Sequence, residues 1–209
     1  MRFATLLVLS LLAAFPARSA SQAAAPHPEG WCADAVDFAM RTAQYRGFGR
    51  TEQKSLTSIR KDADVFHQQY PDLSTADMLK IAHDVYDHDW SHFGAAAAMS
   101  KACPAAPETT PPARVLRASH SDEWCADAVD FAMGAAQNRE LRYSQEMIAG
   151  SLDKDPVFFH MNYPSLSRED MHDITDAVFE RRWTRFTAAV AVSASCRTEG
   201  GLPPSQTQE

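Results

Sequence analysis

The sequence predicts an all-α protein: two tandem small helical bundles of about four helices each, each clamped by one disulfide and joined by a Pro-rich linker. Three observations predict it. Apolar residues recur at helical spacing and nowhere alternate with period two. The segment "WCADAVDFAM" is written twice, over Trp31–Met40 and again over Trp124–Met133. The four cysteines, Cys32, Cys103, Cys125 and Cys196, fall at matching places in the two copies.

The N-terminus has the form of an export signal. Met1-Arg2 supplies a short positive start, "FATLLVLSLLAAF" an apolar core, and "PARSASQAAA" small residues for cleavage between Ser19 and Ala25. The core is shorter than the roughly 20 apolar residues that a membrane span requires. The expected division is a signal and short extension over 1–25, a first repeat over 26–103, a linker over 104–123, a second repeat over 124–196 and a tail over 197–209. Export to the periplasm or beyond makes an even cysteine count readable as disulfides.

Sliding the chain by 93 positions lays residues 31–103 on 124–196 without a gap, and 33 of the 73 pairs are identical. Such agreement marks a duplication. It puts Cys32 on Cys125 and Cys103 on Cys196, one cysteine at each end of each copy. The expected pairing is Cys32–Cys103 and Cys125–Cys196; the cross-copy pairing Cys32–Cys125 with Cys103–Cys196 also respects the repeat. Between the copies, "PAAPETTPPARVLRASHSDE" has four prolines and no apolar period, as an extended linker would.

Within one copy the first helix starts near Trp31, with Cys32, Val36, Ala39 and Ala43 on one stripe. Asp34 and Asp37, and their counterparts Asp127 and Asp130, lie in its opening turns, where the helix dipole favours anions. "GFG" ends this helix in copy one, and "ELR" at the matching place implies a different turn in copy two. Thr51 and Ser144 are N-cap candidates for a second helix. Asp62 and Asp155-Pro156 open a third, which "YP" stops. Ser74/Asp77 and Ser167/Asp170 form capping boxes before a long stretch running to the second cysteine. That stretch is either one helix or two with a break near Asp89. Four up-and-down helices bring the first start beside the last end, where the cysteines sit.

The chemistry is sparse. No GxSxG, HExxH, P-loop, GxGxxG or CxxC occurs, and the expectation is a protein without enzymatic activity. A formal charge of −7 without a basic cluster disfavours nucleic acid as a partner. No segment beyond the signal is apolar enough to span a membrane. His67 and His160, each between a Phe and a Tyr near a helix C-terminus, read as packed histidines, with a proton-sensitive switch as the alternative. In "HDVYDHDWSH", Asp84, His88 and His92 fall at i, i+4 and i+8. On one helix face they form a candidate metal site for Zn²⁺ or a similar ion, and a solvated face is the competing reading. Copy two has Ala177, Arg181 and Arg185 there, which suggests that Asp84, Asp87 and Asp89 face Arg181, Arg182 and Arg185 across the copies. In class and compartment the chain resembles small exported all-α bacterial proteins with one disulfide, among them acid-stress chaperones and immunity proteins. The expected function is capture of a protein partner, of inhibitor or immunity type. The alternatives are an acid-stress holdase and metal binding through His83–His92.

Overall fold

A computed structural model describes residues 27–103 and 120–197. The expected signal, most of the expected linker and nearly all of the tail lie outside the described residues. Those described form ten α-helices and no strand. In copy one, α1 is Glu29–Gly47, α2 Glu52–Lys61, α3 Ala63–Gln69, α4 Thr75–Asp87 and α5 His92–Ala102. In copy two, α6 is Asp122–Glu140, α7 Gln145–Lys154, α8 Pro156–Asn162, α9 Arg168–Glu180 and α10 Arg185–Arg197. Each helix of the second set starts 93 residues after its counterpart, and α6 begins two residues inside the stretch expected to be linker.

Local chemistry sets these boundaries. The side chains of Thr51 and Ser144 accept the N–H groups of Lys54 and Met147. Ser74 with Asp77, and Ser167 with Asp170, close complete capping boxes. Asp155 accepts from Phe158 N–H ahead of Pro156, whereas Asp62 makes no side-chain cap. His27 stacks on Trp31 and His120 on Trp124, both with ring centroids under 4 Å apart, ahead of the first helix of each copy.

One sequence expectation is corrected. The turn after the first helix is the same in both copies. Gly49 takes it at φ 81° and Arg142 takes it at φ 69°, so the left-handed step does not depend on glycine. Of the two readings of the long stretch, two helices with a break near Asp89 holds, the chain turning where Asp89 adopts φ 51° and Arg182 adopts φ 52°. An arginine shared by both copies braces that break: Arg46 donates to the carbonyl of Trp90 at 2.9 Å, and Arg139 to that of Trp183 at 3.0 Å.

Both disulfides lie within a copy. Cys32 is bonded to Cys103 and Cys125 to Cys196, with Cα atoms 6.0 and 6.1 Å apart. The last helix of each copy packs on the first, α5 on α1 and α10 on α6, which brings the paired cysteines together. α5 and α10 also pack on each other, α5 on α6 and α10 on α1. The core is therefore one cluster drawn from both copies. Alanine makes this approach possible. Ala95 and Ala96 on α5, and Ala188, Ala189 and Ala191 on α10, are fully buried. No described helix is long and apolar enough to cross a membrane.

Candidate functional site

The repeated aspartates of the first helices sit where the copies meet. Asp34 is fully buried, accepting from the backbone N–H of Asp72 at 3.0 Å and from Nη1 of Arg185, on α10, at 3.0 Å. Asp127 accepts from Ser165 N–H at 2.8 Å in the same way, and the residue matching Arg185 is His92. A second exchange flanks each site. Thr184 donates to Glu29, and Ser91 to Asp122 at 3.3 Å. The start of α10 thus meets the start of α1, and the start of α5 meets the start of α6. Asp37 pairs with Arg41 at 2.9 Å and lies 3.9 Å from Arg185.

Burial perturbs these groups. Asp34 is raised above the ordinary carboxyl range by burial, against its Asp72 N–H and the Arg185 charge. Asp130 is pushed to about 6, first by burial and then by the charge of Asp37. His92 is lowered by burial, although the Asp127 charge pulls it up. Tyr70 and Tyr163 are raised by burial and by the nearby carboxylates.

The candidate metal ligands are not brought together on one face. Asp84 lies within α4 and pairs with Lys80 at 2.7 Å. His88 caps the end of α4, beside Asp87 at 3.1 Å and edge-on to Trp90. His92 opens α5, past the break, where the Asp127 charge acts on it. The periodicity i, i+4, i+8 assumed one helix, and the left-handed Asp89 interrupts it. Among the described residues, no group of three or more His, Cys, Asp or Glu is placed to hold a metal ion. The expected acid–base facing across the copies is corrected too. Asp89 pairs with Arg46 of its own copy, Arg181 lies over Trp183, and Arg185 crosses to Asp34 and Asp37 instead. His67 and His160 are exposed at the ends of α3 and α8 rather than packed; the His67 ring meets the Thr75 hydroxyl at 3.2 Å.

A feature the sequence reading missed is a recess repeated at the same place in each copy, between the first, second and third helices. Phe38, Phe66 and Tyr70 wall it in copy one, and Phe131, Phe159 and Tyr163 in copy two. Its size and chemistry differ. In copy one Arg41, Tyr45 and Arg50 line a space of about 180 Å³. In copy two Gly134, Asn138 and Tyr143 stand at those positions, and the space is about 300 Å³ without a charged residue in its lining. The signal was available: pairs such as Arg41/Gly134 and Tyr45/Asn138 change a large residue for a small one inside an otherwise matching helix.

No protein-family model matches the chain, and searches of curated proteins and of solved structures found no match.

Proposed function

We propose that the chain is an exported, non-enzymatic binding protein that captures a protein partner through the α7–α8 side of its second copy. One observation carries this reading. At matching exposed positions copy one has Lys54, Asp64 and Gln68, while copy two has Met147, Val157 and Met161, the last three 56%, 67% and 71% exposed. Copy one forms the same helices with polar residues at these three positions, so the fold does not require apolar ones there. Apolar side chains left in water without a folding reason mark a contact surface, and methionine adapts its shape to a partner. The neutral recess beside Met147 suits an apolar side chain inserted from that partner. Two disulfides are compatible with an oxidising compartment outside the cytoplasm, and the signal-like N-terminus supports export to the periplasm or the medium.

The test exchanges the copies' chemistry. Met147→Lys, Val157→Asp and Met161→Gln together give copy two the residues that copy one already tolerates. The variant should keep its helical circular dichroism and lose the protein that the mature wild type retains from an extracytoplasmic extract. Equal retention of the same protein by the folded variant refutes the assigned surface.

A further inference from the structure

The recess of copy one holds polar groups that the packing leaves unused. Tyr70 keeps only 2% of its surface, and its ring stands edge-on to Phe38 with centroids 5.2 Å apart. Its hydroxyl has no hydrogen-bond partner among the described residues, and the little surface the residue keeps reaches that oxygen. The residue lines the recess. A buried hydroxyl left unpaired costs stability unless a further group completes it. Burial raises this hydroxyl, so it stays protonated and can donate. Arg50, just before α2, lines the same space. Its guanidinium donates to Ser58 Oγ and lies over the Tyr45 ring, 5.4 Å from the centroid, and no carboxylate among the described residues pairs with it. Arg41 donates through Nε to Asp37, and its two terminal nitrogens have no hydrogen-bond partner among the described residues. The other copy shows how close positions 41 and 70 lie. A Cβ added at Gly134 would be 3.8 Å from Tyr163 Oη, and the matching residues are Arg41 and Tyr70.

We propose that the recess of copy one binds a small free aromatic carboxylate, its ring against Phe38 and Phe66 and its carboxylate on Tyr70 Oη and the guanidiniums of Arg41 and Arg50.

Size and chemistry both select this class. The space is about 180 Å³. An apolar cavity of about 150 Å³ takes benzene, so one ring with a short arm fits and a drug-sized molecule does not. The walls suit a ring: Phe66 stands edge-on to Phe38 at 6.1 Å, and buried Ile59 completes the apolar lining. Aromatic rings favour such edge and offset contacts with another ring. A carboxylate is the anion that a phenol donor and planar guanidinium forks recognise together. Copy two has the same aromatic walls but Gly134 and Tyr143 in place of the two arginines, so its recess has no cation to hold an acid. The proposed site therefore lies apart from the apolar surface assigned to copy two, and neither depends on the other.

The experiment titrates the full oxidised chain with hydrocinnamate at about pH 7, where its carboxyl is ionised. NMR follows the ring signals of Phe66 and Tyr70, with Phe159 and Tyr163 as the internal reference. The copy-one signals should shift and saturate with a dissociation constant of about 1 mM or tighter. Hydrocinnamamide, which has the same shape without the charge, should bind there at least about 10-fold more weakly. Tyr70→Phe keeps the ring and removes no hydrogen bond of the fold, so it should keep the thermal midpoint while weakening hydrocinnamate by about 10-fold. Arg50→Tyr installs the residue that copy two already has, and should weaken the acid by about 10-fold with unchanged circular dichroism. No shift of Phe66 and Tyr70 up to about 10 mM overturns the site, and so do shifts confined to Phe159 and Tyr163. Equal affinity for acid and amide overturns the role of the guanidiniums. Tighter copy-one binding of N-acetyl-glycyl-phenylalanine than of hydrocinnamate overturns the free acid as occupant, in favour of the C-terminus of a peptide chain.

Discussion

Arg185→Gln tests the join from its permanently charged end. Asp34 is fully buried, and its two acceptor bonds are to Asp72 N–H and to Arg185. Glutamine in place of Arg185 leaves the carboxylate one backbone donor and no countercharge. Removing one partner of a buried pair costs about 3–5 kcal/mol. The Arg185 side chain keeps 21% of its surface in water, which places the expected loss at the lower end, about 3 kcal/mol. For a cooperative unit of this size that lowers the thermal midpoint by roughly 6–12 °C. The loss should shrink in acid, because Asp34, already raised by burial, escapes its penalty by taking a proton. Differential scanning calorimetry of the oxidised chain at about pH 7.5 and about pH 5 reads both effects. Asp34→Asn added to Arg185→Gln should recover much of the loss, since the amide oxygen still accepts from Asp72. A midpoint unchanged by Arg185→Gln at pH 7.5 refutes the assigned pair, and so does an undiminished loss in the double variant.

Non-reducing peptide mapping should recover Cys32 with Cys103 and Cys125 with Cys196, and Cys196→Ser with Cys125→Ser should cost on the order of 4 kcal/mol in the chain-entropy description of so long a loop; a Cys32–Cys125 peptide contradicts the two clamps. Arg142→Gly places glycine where Gly49 already takes the same left-handed step, and should raise stability by about 1 kcal/mol in chemical denaturation; a loss would mean that Arg142 makes a compensating contact. Titration calorimetry with Zn²⁺ should give equal small heats for wild type and His88→Ala, because the break at Asp89 separates His88 from His92; a heat abolished by the substitution would restore a metal site in copy one.

What the sequence made legible was local and repeated. Caps at Thr51, Ser144, Ser74 and Ser167 are short-range chemistry, visible wherever a side-chain oxygen precedes an apolar stripe. The disulfides were legible because duplication left two of three pairings and helical topology brought each copy's ends together. The break at Asp89 was left open because no proline or glycine marks it; the left-handed step falls on an aspartate and, in copy two, on an arginine. The join between copies was not legible. It depends on α5 and α10 being buried on two sides, one against the first helix of their own copy and one against the other copy. Their alanines signal this weakly, since alanine is equally at home in an exposed helix. The role of Asp34 was hidden for a related reason. A helix N-terminus accounts for an acidic residue at that place, and nothing local reveals an arginine arriving from 151 residues away.

That join decides how far a copy can stand alone. Each copy has its own disulfide and its own first-to-last helix packing, which favours independent folding. Yet Ala95, Ala96, Ala188 and Ala189 are fully buried in a chain where α5 and α10 pack together, and Asp34 takes its guanidinium from the other copy. Residues 26–106 and 120–199, expressed separately and oxidised, should each be helical but expose the faces that meet in the whole chain. Mixed, they should associate one to one, because the apolar faces match and Arg185 can again reach Asp34. Sedimentation of the mixture should show a species of summed mass, weakened by Arg185→Gln on the second fragment. If the two fragments stay monomeric and indifferent to each other at high micromolar concentration, the packing of the copies is too weak to matter in solution. In that case the exchanged contacts would be an effect of tethering rather than a built interface.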